Sequence, residues 1–208
     1  MSNYIHSTSI IGSNVILGNN NYIGPFCYIT GDTIIGDNNR FEAYCSIGTP
    51  PEHRNYFTND NQKLIIGNNN IFREYCSINT GTSSPTKLGN NITMLRNSHV
   101  GHDCYLEDKV NLSCNVVLGG HCYLMEGCNF GLNSSCHQFS IIGAYSMVGM
   151  GCVIWKKNKI EPGKTYVGNP AKMIGENSIG LERNNINYNQ LQQLLIKFNN
   201  LNYGNELF

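Results

Sequence analysis

The stretch Val100-Gly-His-Asp-Cys-Tyr-Leu106-Glu-Asp-Lys-Val-Asn-Leu112-Ser-Cys-Asn-Val-Val-Leu118 carries an aliphatic residue at every sixth position. The same phase continues through Leu124, Phe130, Cys136, Ile142, Val148, Ile154, Ile160 and Tyr166, and backwards through Met94 to Leu88. Beyond two interruptions it resumes as Ile78, Phe72 and Ile66, then as Ile47 and by sixes back to Ile5. All 25 positions hold an apolar residue or Cys in a chain that is 40% hydrophobic, so coincidence is excluded. Four residues after each anchor a compact side chain recurs, as at Cys27, Cys45, Cys76, Ser98, Cys104, Val110, Val116 and Cys122. One large and one small inward position per hexad describe short parallel strands joined by tight turns. The abundance of Gly and Asn agrees, because both favour corners over helix interiors.

Three hexads make an 18-residue coil, and stacked coils make a triangular prism. At about 4.8 Å per coil, eight or so coils give a column about 40 Å tall. The repeat resembles that of left-handed parallel β-helices, and this resemblance, against the usual right-handed crossover rule, sets the expected hand. The expected fold is therefore all-β, a left-handed parallel β-helix over 1–170 with a C-terminal helical tail over 171–208. Pro- and polar-rich insertions leave the prism at about 49–63 and 79–87, where solenoids carry recognition. In the tail, Tyr188, Leu191, Leu194, Leu195 and Phe198 form the stripe of one amphipathic helix, expected to cover the open end of the column or to pack on a neighbour.

The 208 residues suit one solenoid, not two unrelated large domains. Fourteen basic residues balance 14 acidic ones, which argues against a disordered chain and against a nucleic-acid partner. No run approaches 18 apolar residues and the first residues lack a secretory signal, so no stable membrane insertion is expected. Seven of the nine cysteines occupy the compact inward position, where a reduced thiol packs as a small hydrophobe; with no CxxC pair, a cytoplasmic compartment is expected.

Residues 18 apart stack on adjacent coils. His102 therefore shares a corner with Gly120 and Gln138, Asp103 with His121, and His137 and His99 stand alongside. Four of the six histidines gather along one edge, which scattered structural histidines have no reason to do. His102 beside Asp103 reads as a general base and its orienting partner. Gly120, beside Gly119, lets backbone approach a ligand, so its amide can serve a developing oxyanion. This pattern suits acyl transfer. The rival chemistry is zinc-dependent hydration, as in the γ-class carbonic anhydrases, which resemble this fold; their His-x4-His ligand spacing is absent, so no metal is expected. A further alternative is a non-catalytic β-helix scaffold or sugar-nucleotide sensor, disfavoured by the intact His-Asp pair.

Asn97-Ser-His-Val-Gly-His-Asp-Cys104, Gly119-Gly-His121 and Cys136-His-Gln-Phe-Ser-Ile-Ile-Gly-Ala144, with Ile71-Phe-Arg-Glu74 and Ile179-Gly-Leu-Glu-Arg183, resemble the UDP-N-acetylglucosamine O-acyltransferases of lipid A biosynthesis and their relatives. The resemblance implies a homotrimer with clefts between prisms, a nucleotide-sugar acceptor and no bound cofactor. It also implies His102 as base, Asp103 as partner, Gly120 as oxyanion amide, and His99, His121, His137 and Gln138 as pocket residues. His53, Arg54 and Asn55 stand in the first loop where the family holds its acceptor. Gly168-Asn-Pro-Ala-Lys172 resembles the end of coenzyme A-dependent hexapeptide transferases, so the acyl donor is an acyl-CoA or an acyl-ACP. Lys156, Lys157, Lys159, Lys164 and Lys172 offer a grip for coenzyme A phosphates or an acidic carrier protein.

Overall fold

The computed structural model describes residues 2–53, 63–156 and 158–201. Short strands, most of two residues, form three sheets of ten, eight and eight strands, all parallel but for the last strand, and up to that strand successive strands fall in successive sheets. The three sheets are the sides of a left-handed triangular β-helix. Register follows the 18-residue coil: Val117 pairs with Ser135 and Ser135 with Val153; Tyr105 pairs with Tyr123 and Tyr123 with Ile141. Ile71 pairs directly with Arg40 and with Thr93, so both insertions are looped out without disturbing the stack.

Each strand projects one anchor inward, and the anchors pack end to end. Phe41 stacks on Phe72 at 4.7 Å between centroids, and Ile23, Phe72, Val100, Leu118, Phe130 and Ile154 are fully buried. The compact positions carry the cysteines; among the described residues all nine are free thiols, and only Cys114 is half-exposed. Turns need a residue in the left-handed backbone region, and Asn20, Asn38, Asn69, Asn91, Asn115 and Asn133 adopt it. A second asparagine column lies inside one corner. Asn21, Asn39 and Asn70 are buried, and each side-chain oxygen accepts from the next coil's amide, at 2.8 Å for Asn39, 3.0 Å for Asn70 and 2.7 Å for Ile92. The Asn-rich composition thus satisfies turn amides that would otherwise be buried unpaired.

The tail differs from the expected single helix. Lys172–Glu176 is a strand that turns back antiparallel on Lys164–Val167, and two helices follow, Ser178–Arg183 and Tyr188–Asn199. The second begins with a capping box between Asn187 and Gln190. These helices cover a side face of the prism, not its open end: Leu181 and Phe198 bury Tyr123, Met125, Ile141 and Tyr145. Lys197 reaches Glu107 at 2.6 Å, and Tyr123 donates to the same carboxylate. The antiparallel strand is illegible in the sequence because Lys172-Met-Ile-Gly-Glu176 puts a lysine where the hexad would place its next anchor and alternates no apolar face. Among the described residues no helix is long and apolar enough to cross a membrane.

Replacing Phe72 by Ala empties a ring-sized volume between coils that cannot collapse. The variant is expected to lose about 3–5 kcal/mol of stability, read from urea denaturation.

Candidate active site

One edge of the prism gathers the expected residues. His102 and Asp103 occupy the turn after strand His99–Val100, and Asp103 adopts a left-handed φ of 59°. This turn aims both side chains to the same place. His102 Nδ1 lies 2.7 Å from Asp103 Oδ2, and the Asp103 side chain is fully buried. The second insertion closes around that carboxylate. The backbone N–H groups of Thr82, Ser83 and Ser84 donate to it at 2.7–3.0 Å, and their three hydroxyls at 2.7–3.2 Å. Sequence reading took this loop for a recognition element. In the structure it is an anion cradle.

Burial alone would raise the Asp103 carboxyl, but hydrogen bonds from His102, Thr82 and Ser84 outweigh it and hold the group well below the ordinary carboxylate range. Asp103 is therefore ionised at neutral pH, which requires His102 Nδ1 to carry the proton and leaves Nε2 as the lone-pair nitrogen of the neutral ring. Gly120 fits under that ring. A β-carbon at 120 would stand 2.5 Å from His102 Cε1 and 2.7 Å from Nε2, so no larger residue is compatible with this imidazole position. Among the described residues the Gly120 N–H has no backbone acceptor.

The remaining expected residues surround this pair. The His121 ring is perpendicular to His102 at 5.1 Å, with Nε2 3.6 Å from Asp103 Oδ2, and stacks on Phe139 at 4.6 Å. His53 brings the first loop to within 6.0 Å of the His102 ring centroid. His99 Nδ1 lies 2.8 Å from Ser77 Oγ. Burial lowers the pKa of His99, opposed by Glu52, and that of His121, opposed by Asp103. Both rings are thus held toward the neutral form. A cleft of about 460 Å³ runs down the outer face from Glu52 and Asn79 past His99, His102 and Gly120 to His137 and Gln138 and ends at Trp155. Arg54, Asn55 and Lys157 lie outside the described residues.

Among the described residues no lysine lines the cleft, Lys156 and Lys172 included. Lys164 faces Glu176 at 3.7 Å, and Lys159 donates to the Leu201 carbonyl, holding the tail. Sequence reading missed Thr82, Ser83, Ser84, Asn79 and Trp155. Trp155 was within reach of the 18-residue count, since it continues the column of Gly101, Gly119 and His137. The cradle was not, because an insertion breaks register. Among the described residues one His/Asp group, His102, Asp103 and His121, has ligand atoms close enough to share a metal ion, all within 4.8 Å. The His102 Nδ1 and Asp103 Oδ2 atoms of that group already bond each other.

Two predictions follow from this geometry. Gly120→Ala displaces the tip of a side chain and not the backbone, so the variant should fold with near wild-type stability yet lose on the order of 10²-fold in kcat as the base is moved. Wild-type turnover would show that His102 needs no fixed position over Gly120. Asp103 has a depressed pKa, so its stabilisation is fully present above the ordinary carboxyl value of about 4 and is lost as pH falls below it. The unfolding free-energy gap between wild type and Asp103→Asn is expected to be flat above about pH 5 and to narrow in acid. A gap that widens in acid contradicts the assignment.

The description "Bacterial transferase hexapeptide (six repeats)" matches residues 14–49. The chain is 35% identical over 149 residues to an acyl-[acyl-carrier-protein]–UDP-N-acetylglucosamine O-acyltransferase of Gloeothece citriformis, covering 71% of this chain and 53% of that one. It is 35% identical over 200 residues to a protein of the same name from Paraburkholderia phymatum, covering 86% and 75%. A solved structure of the UDP-N-acetylglucosamine O-acyltransferase type from Acinetobacter baumannii superposes with a TM-score of 0.80 at 32% identity, covering 95% and 84%. A Francisella novicida UDP-N-acetylglucosamine acyltransferase gives 0.79 at 26%, covering 92% and 77%. The chain spans 53–58% of the length of the first three curated relatives. With the repeat resumed in register past both interruptions and most of one such relative matched, this chain belongs to the UDP-N-acetylglucosamine O-acyltransferase family.

Proposed function

We propose that this protein transfers an acyl group from a thioester, carried by an acyl carrier protein or coenzyme A, to a hydroxyl or amino group of a nucleotide-activated sugar for lipid A or another cell-surface glycan. The observation that carries this reading is the His102–Asp103 pair seated over Gly120 in the cleft. The acceptor O–H or N–H gives its proton to His102 Nε2 as the oxygen or nitrogen attacks the thioester carbonyl carbon. The Gly120 N–H supports the tetrahedral oxyanion. Collapse expels the thiolate, which takes the proton from the imidazolium, and Asp103 compensates that charge while it exists. An amine must first shed its ammonium proton, and His102 then acts mainly to orient it.

In this reading His99, His121, His137 and Gln138, with His53 of the first loop, serve the acceptor. In the same reading a second copy of the chain faces the histidine edge and supplies the other wall of the cleft, in a homotrimer. Free buried thiols suit a reducing, cytoplasmic compartment.

His102→Ala is expected to lower turnover by about 10²-fold or more with assembly intact, followed by thiol release from acetyl, hydroxyacyl and long-chain thioesters against UDP- and dTDP-sugars. Unchanged turnover removes His102 from the mechanism. Grouping of His102, Asp103 and His121 gives the metal-dependent reading its one support, and stoichiometric zinc in the purified protein, lost in His121→Ala, would favour it.

A further inference from the structure

Trp155 is the single tryptophan of the chain and stands 55% exposed at the lower end of the cleft. The sheet register places it on the same line as His137, Gly119 and Gly101, the last of these next to His102. At the two corresponding positions above His137 the chain uses glycine. Leaving an indole in water forfeits the stabilisation that burial would give it. The ring is nevertheless not loose: its Nε1–H donates to Asn169 Oδ1 at 3.1 Å, which ties the turn to the segment that closes the β-helix. An exposed aromatic plane, anchored at one edge and set in the wall of a cleft, is preorganised for stacking.

We infer that Trp155 is the platform on which the nucleobase of the activated sugar stacks. Three coils separate it from His102, about 14 Å at about 4.8 Å per coil, which is the span of a hexose, a pyrophosphate and a ribose laid end to end. The residues between fit that order. Gly119 and Gly120 add no side chain to the cleft wall between His102 and His137. The Gln138 N–H has no backbone acceptor among the described residues, and His137 is exposed between the two ends, so donors are available along the diphosphate stretch. The opposite limb of the cleft, from His102 up to Glu52 and Asn79, is short and carries a carboxylate, which disfavours a polyphosphate there. Stacking on an indole tolerates any base, so Trp155 sets affinity for the nucleotide handle, and the sugar is chosen nearer His102.

The inference rests on the acyltransferase reading, and the two separate in one experiment. Trp155 is the only indole fluorophore, so its emission is followed while the intact protein is titrated with UMP, UDP and UDP-N-acetylglucosamine, with binding measured independently by equilibrium dialysis. Saturable quenching at the concentrations where dialysis shows binding is expected. In steady-state assays Trp155→Ala should raise the KM for the nucleotide sugar roughly tenfold with kcat within about twofold, and Trp155→Phe should restore most of the loss. Binding by dialysis without any change in emission, or an unchanged KM in Trp155→Ala, overturns the stacking assignment while leaving the acyltransferase reading in place. Emission that responds only to the thioester moves the indole to the donor and likewise overturns it. If no nucleotide or nucleotide sugar binds by dialysis, the nucleotide-sugar reading falls and this assignment with it.

Discussion

The constraint on which the molecule depends is the in-register pairing of each coil with the next. Within a coil of three two-residue strands hydrogen bonds are confined to the turns, as from Ser134 N–H to Gly131 O; the strand amides are satisfied by carbonyls of the following coil, as Gly101 N–H is by Leu118 O and Gly119 N–H by Cys136 O. No coil is stable alone, and a slip of one residue would turn every anchor outward. The same condition builds the site. Because 18 residues return the chain to the same corner, His102, Gly120 and Gln138 are neighbours although far apart in sequence, and their separation is set by strand spacing and not by side-chain packing.

A rigid ladder positions the residues but does not by itself keep a buried carboxylate charged. Asp103 is removed from water, which opposes ionisation, and the balance is reversed by donors the repeat cannot supply. Three consecutive amides and three hydroxyls come from Thr82–Ser84, a segment free of the hexad and able to curl around a point. The interruption in the repeat is therefore what orients the His-Asp pair, because an ionised Asp103 fixes the proton on Nδ1. Gly120 adds the complementary requirement of empty space. Charge is held from one side, and room is left on the other.

Periodicity made the core legible to the residue: the anchors, the inward cysteines, the register of the histidine edge and the two points of interruption all follow from counting by six and eighteen. What the count could not reach is what leaves the ladder. Thr82–Ser84 had suitable chemistry but no address, because loop geometry depends on the contacts the loop makes. The basic cluster near the end of the prism is divided for a related reason. Lys159 and Lys164 lie on different sides of a coil, and both are occupied in fastening the tail. Proximity along the chain is a poor guide in a solenoid, where the relevant neighbour is a full coil away.

Outward positions that break the polar rule separate the faces of the prism by role. On one face Tyr123, Ile141 and Tyr145 would present apolar surface to water, and the tail helices cover them through Leu181 and Phe198, with Lys197 and Glu107 at the margin. On the adjacent face Val117 is 46% exposed and Trp155 more so, with no segment of the described chain laid over them. The two faces meet at the corner that carries His102 and Asp103. One side of that corner is sealed from within the chain, and the other is left apolar and open. The group-transfer site proposed at this corner would need this asymmetry, because its base must be shielded from bulk water while a bulky, partly apolar substrate still enters alongside it. The tail therefore contributes to the site without touching it, by determining which flank of the histidine edge stays available.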